Sequence, residues 1–293
     1  MFDFISEREI MLIHVLIHVL EDTVRLLPFL FLTYILMEYL EYNAMGKLTK
    51  AVSKVGKAGP LLGGIVGIVP QCGFSAAASG LFAGGVISVG TLLAVFFSTS
   101  DEMLPLFISH GYQVESIAKI LIVKVALAVA SGYILDGVLK LFKVKNKKTI
   151  HEFCESEHCE CEDGIFKSAL IHTIKIWIFV FVVTFVMDML FETAGFEEAA
   201  TAFAAKSWIA VPVVCLIGLI PNCAASVVIT ECYLSGIISG GAMMAGLLTS
   251  CGVGLLVLFR ANKRPKENIK IVIASYVIGV FWGFVIEALG IKF

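Results

Sequence analysis

Apolar residues run in nine stretches along the chain, over residues 5–20, 23–42, 59–84, 86–109, 114–142, 165–190, 207–234, 237–260 and 268–290, parted by short polar interruptions. A helix crossing the roughly 30 Å hydrocarbon core of a bilayer needs about 20 mostly apolar residues. The pattern therefore predicts an all-α integral membrane protein. The first stretch is short and bracketed by Arg8, Glu21 and Asp22, so it either spans or lies along the interface. His14 and His18 share one helical face there, which fits an interfacial amphipathic helix better than a metal relay.

Two stretches carry a break at their centre: "GIVGIVPQCGFSAAASGLF" and "LIGLIPNCAASVVITECY". Proline removes a backbone donor, and irregular backbone at membrane depth survives only where protein or water satisfies its polar groups. Charge placement says what these breaks do. Residues 43–60 hold Lys47, Lys50, Lys54 and Lys57 with no acid, residues 140–148 hold five lysines, and residues 260–270 hold five basic residues against Glu267. The positive-inside rule puts all three in the cytoplasm, and the basic-poor runs 109–116 and 188–206 outside. Two apolar stretches then lie between residue 60 (inside) and residue 109 (outside), where the number of crossings must be odd. The same conflict recurs between 206 and 260. One stretch in each pair must turn back, and the broken ones are the natural re-entrant hairpins.

The two broken stretches are also copies of each other. A shift of 151 positions, without a gap, lays Gly67 on Gly218, Pro70 on Pro221, Cys72 on Cys223, Ser75 on Ser226, and Gly85, Ile87, Ser88, Gly90 and Ala94 on Gly236, Ile238, Ser239, Gly241 and Ala245. Gln71 falls on Asn222, and Ser98-Thr99 on Thr249-Ser250. One copy starts inside and the other outside, which predicts inverted repeats, the architecture of many secondary transporters. The expected organisation is an N-terminal membrane repeat over 1–142, a cytoplasmic loop over 143–164 and a C-terminal inverted membrane repeat over 165–293.

Composition agrees with this reading. The chain is 58% hydrophobic and 16% charged, against about 25% charged residues in a soluble domain. Residues 1–10 lean acidic and predict no cleavable signal peptide. Of the eight cysteines, five lie in apolar stretches and three in the central loop, which argues against a disulfide framework. Cys215 and Cys232 read as small core residues.

Candidate chemistry gathers at the breaks. Each half offers a hairpin tip and a polar run in the next stretch, "FFSTSDEMLP" and "LLTSCGVG". Freed carbonyls and half-helix ends there can coordinate an ion. Adjacent carboxylates inside an apolar stretch are costly and functional by default. Asp101 and Glu102 are therefore the expected cation ligands, with Gln71, Ser75, Ser98, Thr99, Asn222, Ser226 and Thr249 beside them. The second half has Gly252-Val253 in their place and carries Glu231 where the first has Gly80. Oxygen ligands suit Mn²⁺ or Mg²⁺, whereas the thiols Cys72, Cys223 and Cys251 suit softer ions. Lys124 and Lys175 lie about ten residues into their spans, either as coupling groups or as snorkelling side chains. Glu38 and Glu41 fall at the cytoplasmic end of their helix, an interfacial position.

The loop "HEFCESEHCECED" supplies His151, Cys154, His158, Cys159 and Cys161. Its C-x₄-C-x-C spacing is not that of a zinc finger. The choice lies between a loop that captures thiophilic metal in the reducing cytosol and a solvated acidic linker.

The runs "MEYLE", "GPLLGGIVGIVPQCGFSAAASGLFAGG", "GTLLAVFFSTSDEMLP" and "GLIPNCAAS" resemble the ten-transmembrane heavy-metal exporter family, whose members are labelled arsenic efflux proteins or manganese transporters. The resemblance covers nearly the whole chain and implies export of a metal or metalloid from the cytoplasm.

The resulting expectation is a multi-pass plasma-membrane protein, a secondary-active efflux transporter for a divalent transition metal, with Mn²⁺ first and protons as the coupling ion. No Walker-type phosphate loop is present, and neither a resident cofactor nor a nucleic-acid partner is expected. The alternative is an arsenite or organoarsenical permease working through Cys72, Cys223 and Cys251. An enzyme built on Ser98 or Ser100 beside Asp101 has no histidine base nearby in sequence and no obvious use for the inverted repeat. A metal sensor read through the Cys/His loop would be abolished by deleting residues 152–161, which would leave a transporter at least partly active.

Overall fold

A computed structural model describes residues 12–21, 23–24, 27–28, 31–32, 35, 58–69, 72–100, 103–141, 165–193, 207–291 and 293. All regular structure among them is helical. The helices are α1 (Leu12–Glu21), α2 (Gly59–Val66), α3 (Cys72–Ala83), α4 (Val89–Ser98), α5 (Met103–Ser109), α6 (Val114–Leu141), α7 (Ile165–Thr193), α8 (Ser207–Gly218), α9 (Cys223–Leu234), α10 (Gly240–Thr249), α11 (Gly254–Ala261) and α12 (Pro265–Ala288). Each apolar stretch with a polar interruption is thus a pair of short helices. The uninterrupted stretches 114–142, 165–190 and 268–290 hold the single long helices α6, α7 and α12.

Helix boundaries recur at the spacing of the sequence match. Adding 151 to the first residue of α3, α4, α5 and α6 gives the first residue of α9, α10, α11 and α12. The turns agree as well. Gly85 and Gly236 both sit at φ 72°, a left-handed conformation that a side chain would disfavour. Ser88 and Ser239 both cap the following helix, accepting from the amides of Thr91 and Ala242.

Burial sorts the helices into two kinds. Every residue of α4 from Gly90 to Ser98, and of α10 from Gly241 to Thr249, is buried. Among the described residues, four runs are long and apolar enough to cross a membrane: Val89–Ser109, Val114–Leu141, Gly240–Ala261 and Pro265–Ala288. The α4–α5 and α10–α11 runs are 75% and 89% buried, against 33% and 28% for α6 and α12. The broken spans therefore form the centre, and the unbroken ones turn an apolar face outward toward lipid.

Packing of each unit follows one plan. In the first, α4 lies between α2 and α6, and in the second, α10 lies between α8 and α12. Glycines allow the closest crossings. A Cβ on Gly132 would stand 2.6 Å from the Gly90 carbonyl oxygen, and one on Gly283 would stand 3.0 Å from that of Gly241. The units then exchange contacts, with α3 packing on α11 and α9 on α5. A contact between two elements is thus repeated at the 151-residue spacing with the partners' roles reversed. Trp282 Nε1 donates to Ser131 Oγ at 2.8 Å. These two residues are themselves 151 apart, the spacing of the sequence match.

The start of α4 is held by an acid the sequence did not single out. Asp136 on α6 accepts from Ser88 Oγ at 2.6 Å and from the Gly90 amide at 2.9 Å. A carboxylate is favoured at a helix N-terminus by the unpaired amides and the helix dipole. Asp136→Ala strands those donors and should cost about 1–3 kcal/mol of stability, read as a lowered thermal midpoint of the purified protein. Asp136→Asn, which keeps one acceptor, should lose less.

Candidate functional site

The two buried half-helices end at the same place. α4 is ten residues long, so it rises about 15 Å, half of a bilayer core, and α10 matches it. At the end of α4, Thr99 turns out of the helix at φ −56°, ψ 129°, and at the end of α10, Ser250 does so at φ −74°, ψ 89°. Thr99, Ser100, Met103, Lys124, Ser226, Leu247 and Ser250 line a narrow gap there. Both units contribute walls, and the lining is rich in hydroxyls.

Lys124 is the cation at this gap. It is the eleventh residue of the 28-residue α6, about 15 Å from the start of that helix and 25 Å from its end. The residue is 1% exposed, and its Nζ donates to the Thr99 carbonyl oxygen. Of the two readings of Lys124, snorkelling is thereby set aside. Lys175 differs: it is exposed on α7.

The expected site residues divide into three groups. Thr99 and Ser226 line the gap. Ser75, Ser98, Asn222, Thr249 and Cys251 are buried but are not among its lining residues. Thr249 Oγ1 is engaged by carbonyls of Cys215, Ala245 and Gly246. Ser98 Oγ donates to Val95, with Gly63 at 3.5 Å, and packs where a Cβ on Gly67 would stand. Both hydroxyls serve helix packing. Gln71, Asp101, Glu102, His151, Cys154, His158, Cys159 and Cys161 lie outside the described residues, as do Glu38 and Glu41. Cys72 and Cys223 each begin a helix, and their side chains also lie outside the described part.

Ser100, Met103, Leu247 and Ser250 were not expected at the site. The repeat held a signal for Ser250, since it is the counterpart of Thr99, but polarity alone does not separate a lining hydroxyl from a packing one. Glu231, the acid peculiar to the second half, stands away from the gap. Its Oε1 is 3.7 Å from His110 Nε2, and both side chains are substantially exposed. Cys215 and Cys232 are buried in the apolar core, as expected.

Among the described residues no three His, Cys, Asp or Glu side chains come together in a way that could hold a metal ion. Among the described residues, the polar groups at the gap are hydroxyls, backbone carbonyls and the Lys124 ammonium. Asp101 and Glu102 follow directly in the chain after Ser100, a lining residue.

No curated protein and no solved structure matches the chain. One family model does, over residues 11–207, which take in the first unit and α7. With its helical membrane architecture and a polar gap between two broken spans, the chain belongs to the ArsP_2 family, described as "Putative, 10TM heavy-metal exporter".

Proposed function

We propose that the protein is a carrier rather than an enzyme: a secondary-active exporter of divalent transition metal, Mn²⁺ first, coupled to protons and working by alternating access of two inverted repeats. The observation that carries this reading is the meeting of α4 and α10 at one gap. Their ends come from the two units, and the carboxylates Asp101 and Glu102 directly follow the first of them. Half-helix ends meeting near the membrane centre suit ion coordination in carriers with inverted repeats. Asp101 and Glu102 supply the hard oxygen donors that Mn²⁺ favours, and Thr99 and Ser226 add neutral oxygens.

Re-entry of the hairpins is supported by where they meet α6 and α12. A Cβ on Gly132 would lie 2.9 Å from Pro60 Cβ, at the start of α2. Ser88, after α3, bonds Asp136 one turn further along α6. The α2–α3 pair thus enters and leaves at one level of a spanning helix. The second unit matches. Val211 on α8 stands 2.7 Å from a Cβ on Gly283, and Glu287 lies beside Gly241 at the start of α10.

The test is uptake of Mn²⁺, Zn²⁺, Cd²⁺ and arsenite into inside-out vesicles, with Asp101→Asn alongside. Mn²⁺ uptake that falls tenfold or more in the variant is the expected result, since loss of an acid ligand weakens a hard cation most. Arsenite uptake indifferent to Asp101 would move the site to the membrane cysteines and end the manganese assignment. Collapse of the proton gradient should abolish accumulation. Accumulation that survives it would remove proton coupling.

A further inference from the structure

We propose that the Lys124 ammonium is a built-in cation that holds the gap in the empty carrier and must be displaced by the cargo. This rests on the cation-exporter reading above and names a group that sets its exchange step.

The gap is made by two equivalent helix ends, each leaving carbonyls without partners in its own helix. The negative end of a helix dipole attracts positive charge, so each end is suited to a cation. At the end of α4 that position is filled: Nζ of Lys124 reaches the carbonyl of Thr99. At the end of α10 the counterpart of Lys124 is Ser275, which is buried and donates back to its own helix, to the Ile271 carbonyl, at 2.9 Å. The repeat thus carries an ammonium on one side of its axis and a short hydroxyl on the other. Both ends line the same gap.

The gap is also full. Its empty space is too narrow to hold a water molecule, so a metal cation cannot enter while the lysine stays where it is. Two cations a few ångströms apart repel strongly even at the effective dielectric of a protein interior. The cargo therefore expels the ammonium from Thr99, and the ammonium returns when the cargo leaves. An empty carrier closed around its own cation keeps the broken helix ends satisfied through the return step. Without such a charge the empty site would leave carbonyls bare at membrane depth, a costly state.

Purified protein in proteoliposomes distinguishes this from a packing role, with Mn²⁺ alone as the probe. Lys124→Met keeps an unbranched side chain only one atom shorter and removes the charge, and Lys124→Arg keeps the charge. The expected result for Lys124→Met is Mn²⁺ binding tightened by about tenfold or more, since a repelling charge is gone. Its Mn²⁺/Mn²⁺ counterflow should be retained, because exchange needs no empty return. Net transport should fall about tenfold or more, with Lys124→Arg restoring part of it.

Unchanged or weaker binding in Lys124→Met would overturn the proposal. Weaker binding would mean that the ammonium draws the cargo in, which points to an anion. Parallel loss of counterflow and net transport would make Lys124 a packing residue, as would Lys124→Met protein that fails to stay monodisperse while Lys124→Arg binds as the wild type does. Each of these leaves Mn²⁺ transport by the wild type intact. Wild-type protein that carries no metal removes the exporter reading, and this inference with it.

Discussion

Gly254→Met should leave little folded protein. Gly254 opens α11 where that helix meets α3 of the other unit, and a Cβ there would stand 2.7 Å from Ser75 Cβ and 2.9 Å from the Ser75 carbonyl carbon. Backbone cannot rotate aside as a side-chain tip can. Ser79 Oγ also donates to the Gly254 carbonyl oxygen at 2.7 Å, a bond that any separation of the helices would break. Overpacking a core ordinarily costs about 1–3 kcal/mol, and a wedge against backbone at the contact between two halves belongs at or above the top of that range. The readout is the monodisperse fraction on size-exclusion chromatography in detergent, together with the thermal midpoint. Gly137→Met is the control, because nothing lies within 4 Å of a Cβ at Gly137. A Gly254→Met protein as stable as that control would show that α3 and α11 are not tightly joined.

The choice of methionine has a structural reason. The counterpart of Gly254 in the first unit is Met103, which lines the gap with Ser226 of α9. Glycine closes the α3–α11 contact completely, whereas methionine holds α5 and α9 apart.

Ser226→Leu should reduce Mn²⁺ uptake to background while sparing most of the fold. Ser226 is 4% exposed and forms part of the gap wall. A branched apolar side chain fills the little free space, removes an oxygen and surrounds any entering cation with hydrocarbon. A cation without compensating ligands is strongly disfavoured there. Overpacking of this kind costs about 1–3 kcal/mol, so a folded but less stable, inactive protein is expected. Ser226→Ala, which removes only the hydroxyl, should retain partial uptake. Vesicle uptake and thermal midpoint measured on the same preparations check both statements. Normal uptake by Ser226→Leu would mean that the cargo does not pass this gap.

The sequence by itself determined the helical membrane class, because only long apolar helices satisfy backbone groups in lipid. It also located the four interruptions, since proline, glycine and runs of serine and threonine cannot continue a lipid-facing helix unaided. The 151-residue match was legible for the same reason: identical breaks demand identical turns, as at Gly85 and Gly236. Asp136 could not be singled out, because a carboxylate near a helix end reads as surface until the amides of α4 are brought to it.

Tertiary structure alone decided which hydroxyls face the gap. Ser98 and Thr99 are neighbours of like chemistry, but the helix ends between them, so one packs against Gly67 and the other turns into the gap. It likewise decided between the two readings of Lys124. Chain position cannot tell a snorkelling lysine from a buried one, and what buries this side chain is the end of α4, 25 residues away in sequence, closing over it.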